Sequence, residues 1–234
     1  MRRILEDPEL GAFKTVETQI DPEPHKMGTF IEKFLMAREK DELVLLYFSG
    51  HGVKDETRQL YFAAKGTEKN EKDQLITNTA VPAERVRSWL DSCKATKKIM
   101  ILDCCFSGAI DPNAKGDDTL ENLEKSLSGV KGSIILTSSS STEISRSDAP
   151  NQMSCYTRHF VQGIESGEAD QDANGQLSIN ELHNYVKGKL QVEKATMKMN
   201  PKIFFLQEDG FYSAPLIKVP IADPKQAYRK KVKD

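Results

Sequence analysis

Apolar runs of strand length alternate with amphipathic segments along the first 140 residues. Residues 43–48 are apolar at every position, and residues 99–103 form a second run that ends in an aspartate. Runs of this kind are typical of strands buried on both faces. The pattern predicts strands at 43–48, 59–64, 99–103 and 132–140, and helices at 29–40 and 82–93. We therefore predict an α/β sandwich with a mostly parallel sheet.

The composition argues against several classes of function. The 234 residues carry a net charge of −2, so we expect no nucleic-acid partner that binds through bulk positive charge. No apolar run approaches the roughly 20 residues that cross a bilayer, and the N-terminus lacks the apolar segment of a signal peptide. Four cysteines without a CxxC pair favour neither a disulfide scaffold nor a structural zinc site. We expect a protein of the reducing cytoplasm, with no membrane partner.

A histidine and a cysteine stand at the ends of two predicted strands. His51 follows YFSG and Cys105 follows ILDC, so both are expected at the carboxyl edge of the sheet, where ligands of open α/β folds bind. A thiolate is a nucleophile, and an imidazole can take the proton from the thiol. Each residue alone is more often structural, because a buried cysteine packs as a small hydrophobe. Together, at two strand ends, they favour catalysis.

The segments YFSGHG and DCCFSG closely resemble the motifs of the caspase-like cysteine peptidases, especially metacaspases and bacterial caspase homologues. Cys105 follows His51 by 54 residues, near the spacing of roughly 50 in caspases. The resemblance continues through TSSSSTEIS and the predicted helix SCYTRHFVQGI, and it implies a three-layer α/β/α sandwich. In the family pattern D-x-C-x-S-G, Cys105 is the nucleophile, His51 is the general base and Cys104 is the variable position. Side-chain alternation agrees, because neighbours on a strand cannot both face one cleft.

The remaining cysteines and histidines are expected to be structural: Cys93, Cys155, His25 (in a proline-rich loop), His159 and His183.

The resemblance also implies a mechanism and a specificity. The backbone N–H groups of Gly52 and Cys105 would stabilise the oxyanion. Asp103 precedes the nucleophile by two residues and so points to the same side of the strand. Metacaspases carry an acidic residue there and cut after arginine or lysine, so we expect protein substrates with Arg or Lys at P1, and Ser49 in the same pocket. The alternative is that Asp103 only caps a turn. No cofactor is expected for catalysis.

Relatives begin with a strand that this sequence lacks, so we expect the sheet to lack the first strand of the family. The peptidase domain is predicted at 1–220, followed by a basic tail at 221–234. The polar segment 109–131 is a candidate processing loop, and a passive solvent loop is the alternative. Its candidate self-cleavage sites are Lys115, Lys125 and Lys131.

Bacterial relatives act in antiviral defence or regulated cell death, so the resemblance implies a proteolytic effector with an upstream activating protease or sensor as partner.

Residues 170–181, DQDANGQLSINE, match the EF-hand calcium loop position by position. Gly175 would supply the sharp turn, and helical patterns flank the loop on both sides. EF-hands normally pair and we find no second loop, so an ordered loop without a metal is the alternative. The expected cofactor is Ca²⁺, and its ligands would be Asp170, Asp172, Asn174, the carbonyl of Gln176, Ser178 through a water, and Glu181.

Different classes of function therefore stay open. The first is a cysteine endopeptidase with a Cys105/His51 dyad. The second is a calcium-responsive binding module on an inactive or truncated protease scaffold. A third is a fragment of a larger protein whose sensory part lies elsewhere.

Overall fold

The structure is a computed structural model that describes residues 1–106, 126–127, 130, 132–138, 153–193, 201–205 and 215–219. At Cys105, Phe106, Phe205, Pro215 and Leu216 only the backbone is described. The chain divides into two compact units. We call residues 19–144 and 198–209 the sheet unit, and residues 1–18, 145–197 and 210–234 the helical unit.

The sheet unit contains a mixed six-stranded sheet. Its strands are β1 (Leu43–Lys54), β2 (Leu60–Ala63), β3 (Ala80–Pro82), β4 (Lys97–Phe106), β5 (Ser133–Thr137) and β7 (Lys202–Phe205), in the spatial order β3-β2-β1-β4-β5-β7. The pairs β1–β4 and β4–β5 are parallel, whereas β2 and β7 run against their neighbours, so most strands share one direction. The predicted α/β sandwich with a mostly parallel sheet is confirmed.

Two helices of the sheet unit, α2 (Pro24–Met36) and α3 (Ala83–Ser92), pack against one face of the sheet. Proline favours the first helical position because its fixed φ suits a helix and no amide donor is lost there. The predicted helix at 29–40 is therefore displaced: it begins at Pro24, and His25 lies in its first turn instead of in a loop. The apolar cluster under these helices includes Ile31, Leu35, Val86, Leu90, Met100, Leu102 and Ile135.

The two strands that carry the candidate catalytic residues are longer than predicted. β1 continues from its apolar run through Ser49 to Lys54, and β4 runs from Lys97 to Phe106. The polar and glycine residues at the end of β1 stay extended because they pair with β4 as far as Gly52 and with β2 from Gly52 onward. His51 and Cys105 thus lie inside the strands, near their carboxyl ends.

The helical unit contains α1 (Arg2–Glu6), α4 (Cys155–Ser166) and α5 (Ile179–Val192), with a two-stranded ladder of β6 (Gln176–Ser178) and β8 (Pro215–Lys218). The Ser154 hydroxyl caps α4 by accepting a hydrogen bond from the Thr157 amide at 3.0 Å. At the other end of α4, Gly167 takes the left-handed conformation with a φ of 69°. Ser178 and Glu181 form a capping box at the start of α5.

Several predictions fall on parts of the chain that the structure does not describe. Most of the segment 109–131, its three lysines and the tail 221–234 lie outside the described residues. The described residues before β1 form two helices, α1 and α2, and no strand. Among the described residues, no helix combines the length and the apolar character that crossing a bilayer requires.

Candidate active site and candidate calcium loop

The parallel ladder between β1 and β4 brings the two candidate catalytic residues together. His51 is the direct partner of Cys105 in this ladder. Neighbouring strands lie about 4.8 Å apart, so the two backbone positions are adjacent although 54 residues separate them in the sequence. His51 is exposed to solvent at this edge of the sheet. An imidazole on the neighbouring strand could take the proton of a thiol at this position, which is the first step of nucleophilic thiol catalysis.

The expected specificity residues form the preceding pair on the same face of the ladder. We call each such same-face set of paired positions a row. Ser49 is the direct partner of Asp103, two residues before the His51–Cys105 pair. Ser49 is exposed, whereas Asp103 is only 7% exposed. A carboxylate in such a place suits a cationic group that approaches from the open side, because burial strengthens the attraction between the two charges.

Cys104 lies in the apolar core. It is 4% exposed and belongs to the cluster that α2 and α3 cover. Cys93 is also buried in that cluster, at the C-terminal cap of α3. The structure therefore places both of these cysteines in packing roles.

Gly52, the expected oxyanion residue, is buried inside β1. It pairs with Phe106 of β4 on one side and with Phe62 of β2 on the other. Glycine at this position leaves the backbone open to a close approach by a substrate carbonyl, since no Cβ stands in the way.

The other thiol and two other histidines belong to the helical unit. The Cys155 thiol donates a hydrogen bond to Glu193 at 3.5 Å, and the Arg158 guanidinium lies 3.0 Å from the same sulfur. His159 is buried, with its Nε2 atom 3.1 Å from a Glu193 oxygen. The hydrogen bond from His159, more than the contributions of Cys155 and Arg158, lowers the pKa of the Glu193 carboxyl. These groups tie the start of α4 to the end of α5.

His183 is a buried histidine on α5. Burial, with a smaller contribution from Lys187, lowers its pKa to about 4. The imidazole is therefore neutral at physiological pH. Its place among the buried residues of α5 indicates a packing role.

The loop at 170–181 has acidic side chains that converge. One carboxylate oxygen from each of Asp170, Asp172 and Glu181 lies within 4.8 Å of the others. Asp170 accepts hydrogen bonds from the amides of Asn174 and Gly175, at 3.1 and 2.8 Å, and Gly175 has a φ of 77°. This places the required glycine at the sharp turn of the loop. The open depression at the loop is lined by Gln171, Asp172, Asn174, Gln176, Ser178, Asn180 and Glu181.

Both oxygens of the Glu181 carboxylate already have hydrogen-bond partners. One Glu181 oxygen accepts hydrogen bonds from the Ser178 amide at 3.0 Å and from the Ser178 hydroxyl at 2.7 Å. The other oxygen accepts from the amide of Gln171 at 3.2 Å. These hydrogen bonds hold the carboxylate toward the loop, and both oxygens could also bind a cation because a carboxylate has about four acceptor sites.

The loop pairs with a strand that the sequence did not reveal. Leu177 of β6 is the ladder partner of Ile217 of β8, and both are buried. The Val219 amide donates to the Gly175 carbonyl at 3.1 Å. The end of the loop thus pairs with β8 in a short antiparallel ladder.

The caspase domain family matches residues 1–212 of this chain. A comparison with curated proteins found no match. Among the solved structures, a crystal structure of a protein from Geobacter sulfurreducens is similar, with 16% sequence identity and a TM-score of 0.48. The alignment covers 84% of this chain and 78% of that one.

Proposed function

Because this chain belongs to the caspase-domain family of cysteine peptidases, we propose that it is a cysteine endopeptidase that cuts proteins after arginine or lysine. The observation that carries the proposal is the register of β1 and β4, in which His51 pairs with Cys105 and Ser49 pairs with Asp103. The family supports the class of reaction, and the register supports the assignment of residues.

In the proposed mechanism His51 takes the proton of the Cys105 thiol, and the thiolate attacks the carbonyl carbon of the scissile bond. The backbone N–H groups of Gly52 and Cys105 stabilise the oxyanion of the tetrahedral intermediate. The imidazolium then gives its proton to the leaving amine, which leaves an acyl group on the sulfur. Water, activated by the neutral imidazole, hydrolyses this thioester and restores the thiol.

The proposed P1 specificity depends on Asp103. Its carboxylate lies one row below the proposed nucleophile, on the same set of alternating positions of β4. A basic P1 side chain that passes the nucleophile reaches this row and pairs with the carboxylate, whereas an acidic P1 side chain would be repelled.

Cleavage of matched fluorogenic peptides with Arg, Lys or Asp at P1 tests the proposal, with Cys105→Ala as the blank. The proposal predicts cleavage of the Arg and Lys peptides, which the Cys105→Ala variant loses. Faster cleavage of the Asp peptide, or full activity of the variant, would overturn it. The predicted self-cleavage, the activating partner and the role in defence or cell death stay predictions.

A second candidate function is calcium binding by the loop 170–181. The convergence of Asp170, Asp172 and Glu181 within 4.8 Å favours it, together with the twelve-residue spacing and the bridge to β8. Asp170, Asp172, Asn174, the Gln176 carbonyl, Ser178 and Glu181 would hold the ion, which would bring charge compensation to an acidic loop. If the peptidase site proved inactive, calcium binding would be the remaining activity of the chain, as a binding module. Titration calorimetry with calcium tests this, and the absence of any binding heat would remove it.

A further inference from the structure

Three parallel strands change from apolar to small polar residues at one common row. On β4 the alternate positions read Ile99, Ile101 and then Asp103, and on β1 they read Leu45, Tyr47 and then Ser49. The ladder pairs these positions row by row, so the change falls at the same height on both strands. Such a coincidence is not required for strand formation.

The third strand of the row is β5. Its alternate positions read Ile134, Leu136 and then Ser138. Ile99 pairs with Ile134 and Ile101 pairs with Leu136, which places Ser138 beside Asp103 in the next row. The Ser138 amide donates to the Leu102 carbonyl at 3.0 Å, so the two strands are still hydrogen-bonded at this point.

Exposure falls steadily along this row. Ser49 is exposed, Asp103 is 7% exposed and Ser138 is 2% exposed. The row is thus open at β1 and closed at β5, and Ser138 stands on the closed side of the carboxylate. A buried carboxylate is stabilised by hydrogen-bond donors, and a serine hydroxyl on the adjacent strand is placed to supply one.

We propose that Ser138 is a positioning residue of the P1 pocket: when a guanidinium or ammonium group is bound, the Ser138 hydroxyl turns to donate to the Asp103 carboxylate and holds it toward that group. This inference rests on the proposed specificity for basic P1 residues. It adds a residue from a third strand to the pocket and makes the row Ser49–Asp103–Ser138 its floor.

Peptide binding to the Cys105→Ala protein tests the inference without catalysis. Two peptides are compared by fluorescence polarisation, one with arginine at P1 and one with citrulline, which has nearly the same shape but no charge. Adding Ser138→Ala should weaken binding of the arginine peptide roughly tenfold, because a hydrogen bond to a charged group is lost. Binding of the citrulline peptide should change less than about twofold. Ser138→Thr, which keeps a hydroxyl, should restore most of the loss.

Ser133→Ala is the matched control. Ser133 lies on the same strand, paired with Lys98, and it faces the opposite side of the sheet. Its buried hydroxyl makes no hydrogen bond in the described structure, so its loss should leave both peptides unaffected.

A double-mutant cycle separates this inference from the proposed specificity. In the Asp103→Asn background, Ser138→Ala should cause no further loss, because both residues act on the same interaction. If the losses of peptide binding were additive, or equal for the arginine and citrulline peptides, the role of Ser138 would be overturned. The proposed role of Asp103 in P1 specificity would be unaffected by that result. A Cys105→Ala protein that bound both peptides equally would overturn the basic specificity itself and this inference with it.

Discussion

His51 and Cys105 are direct partners in the parallel ladder between β1 and β4. Because the ladder is part of the sheet, their relative position is set by backbone hydrogen bonds and not by a mobile loop. The same ladder fixes the Ser49–Asp103 row beneath them. Catalysis and specificity are therefore predicted to depend on one structural element.

The adjacent cysteines should separate cleanly into a structural and a catalytic residue. Cys105→Ala should lower kcat/KM by roughly 10⁴-fold or more while the melting temperature stays nearly unchanged. Cys104→Ala should keep activity but lose about 1 kcal/mol of folding free energy, because Cys104 packs in the core cluster. Peptide cleavage and chemical denaturation of the two variants make the comparison. An inactive Cys104→Ala protein of wild-type stability would contradict the assignment.

Replacement of Asp103 should change the specificity more than the chemistry. Asp103→Asn removes the charge that a basic P1 side chain would meet, so kcat/KM for an Arg-P1 peptide should fall about 100-fold. A citrulline-P1 peptide should be affected far less. Asp91→Asn serves as control, since Asp91 is an exposed aspartate on α3. The structure places Asp103 inside β4 and not at a turn, so equal losses for both peptides would indicate a structural role within the strand in place of a role in P1 selection.

Glu181→Gln should weaken calcium binding at least about tenfold, because it removes one charged ligand while leaving the fold of the loop intact. Glutamine at this position can still complete the capping box with Ser178, so α5 should keep its helical content. Titration calorimetry measures the affinity, and circular dichroism checks the helix. The control is Glu165→Gln, an acidic residue of the same unit outside the loop that pairs with Arg3. Identical affinities in wild type and Glu181→Gln would exclude the loop as the calcium site.

The buried His183 should make the helical unit sensitive to acid. Its pKa of about 4 in the folded chain lies below the unfolded value, so the unfolded state takes up the proton first as the pH falls. Stability should therefore be complete above about pH 6.5 and decline between that pH and about 4, by roughly 3 kcal/mol in total.

Denaturant unfolding of wild type and His183→Leu across this pH range measures the effect. The variant should lose most of the decline, whereas His25→Gln, at an exposed histidine of α2, should retain it. The same slope in wild type and His183→Leu would show that other groups cause the acid sensitivity.

The apolar runs at 43–48 and 99–103 were sufficient to predict the central strands, because burial on both faces leaves a continuous hydrophobic signal. The ends of those strands could not be predicted in the same way. Residues 49–54 of β1 are polar or glycine at most positions, and they stay extended only because β2 and β4 pair with them. The start of α2 did carry a signal, since Pro24 suits a first helical position.

The candidate residues were visible as motifs, but their arrangement was not. His51 and Cys105 come from two strand-end motifs, whereas their pairing depends on a register that only the folded sheet defines. Ser138 lies in the segment TSSSSTEIS that resembles the family, but the sequence does not distinguish it from the serines that follow; only the register of β4 and β5 places it beside Asp103. In the same way the short strand β8 became recognisable only through its pairing with the end of the loop 170–181.

The central claim, a Cys105/His51 dyad in a pocket for basic residues, is tested most directly by site-resolved labelling. The protein is treated with an Arg-P1 peptidyl chloromethyl ketone, and the modified cysteine and its labelling rate are read by tandem mass spectrometry. The account predicts rapid labelling of Cys105 alone, slowed at least about tenfold by His51→Ala, since the imidazole no longer takes the thiol proton. Labelling spread over Cys93, Cys104 and Cys155, or a Cys105 rate that does not respond to His51→Ala, would contradict it.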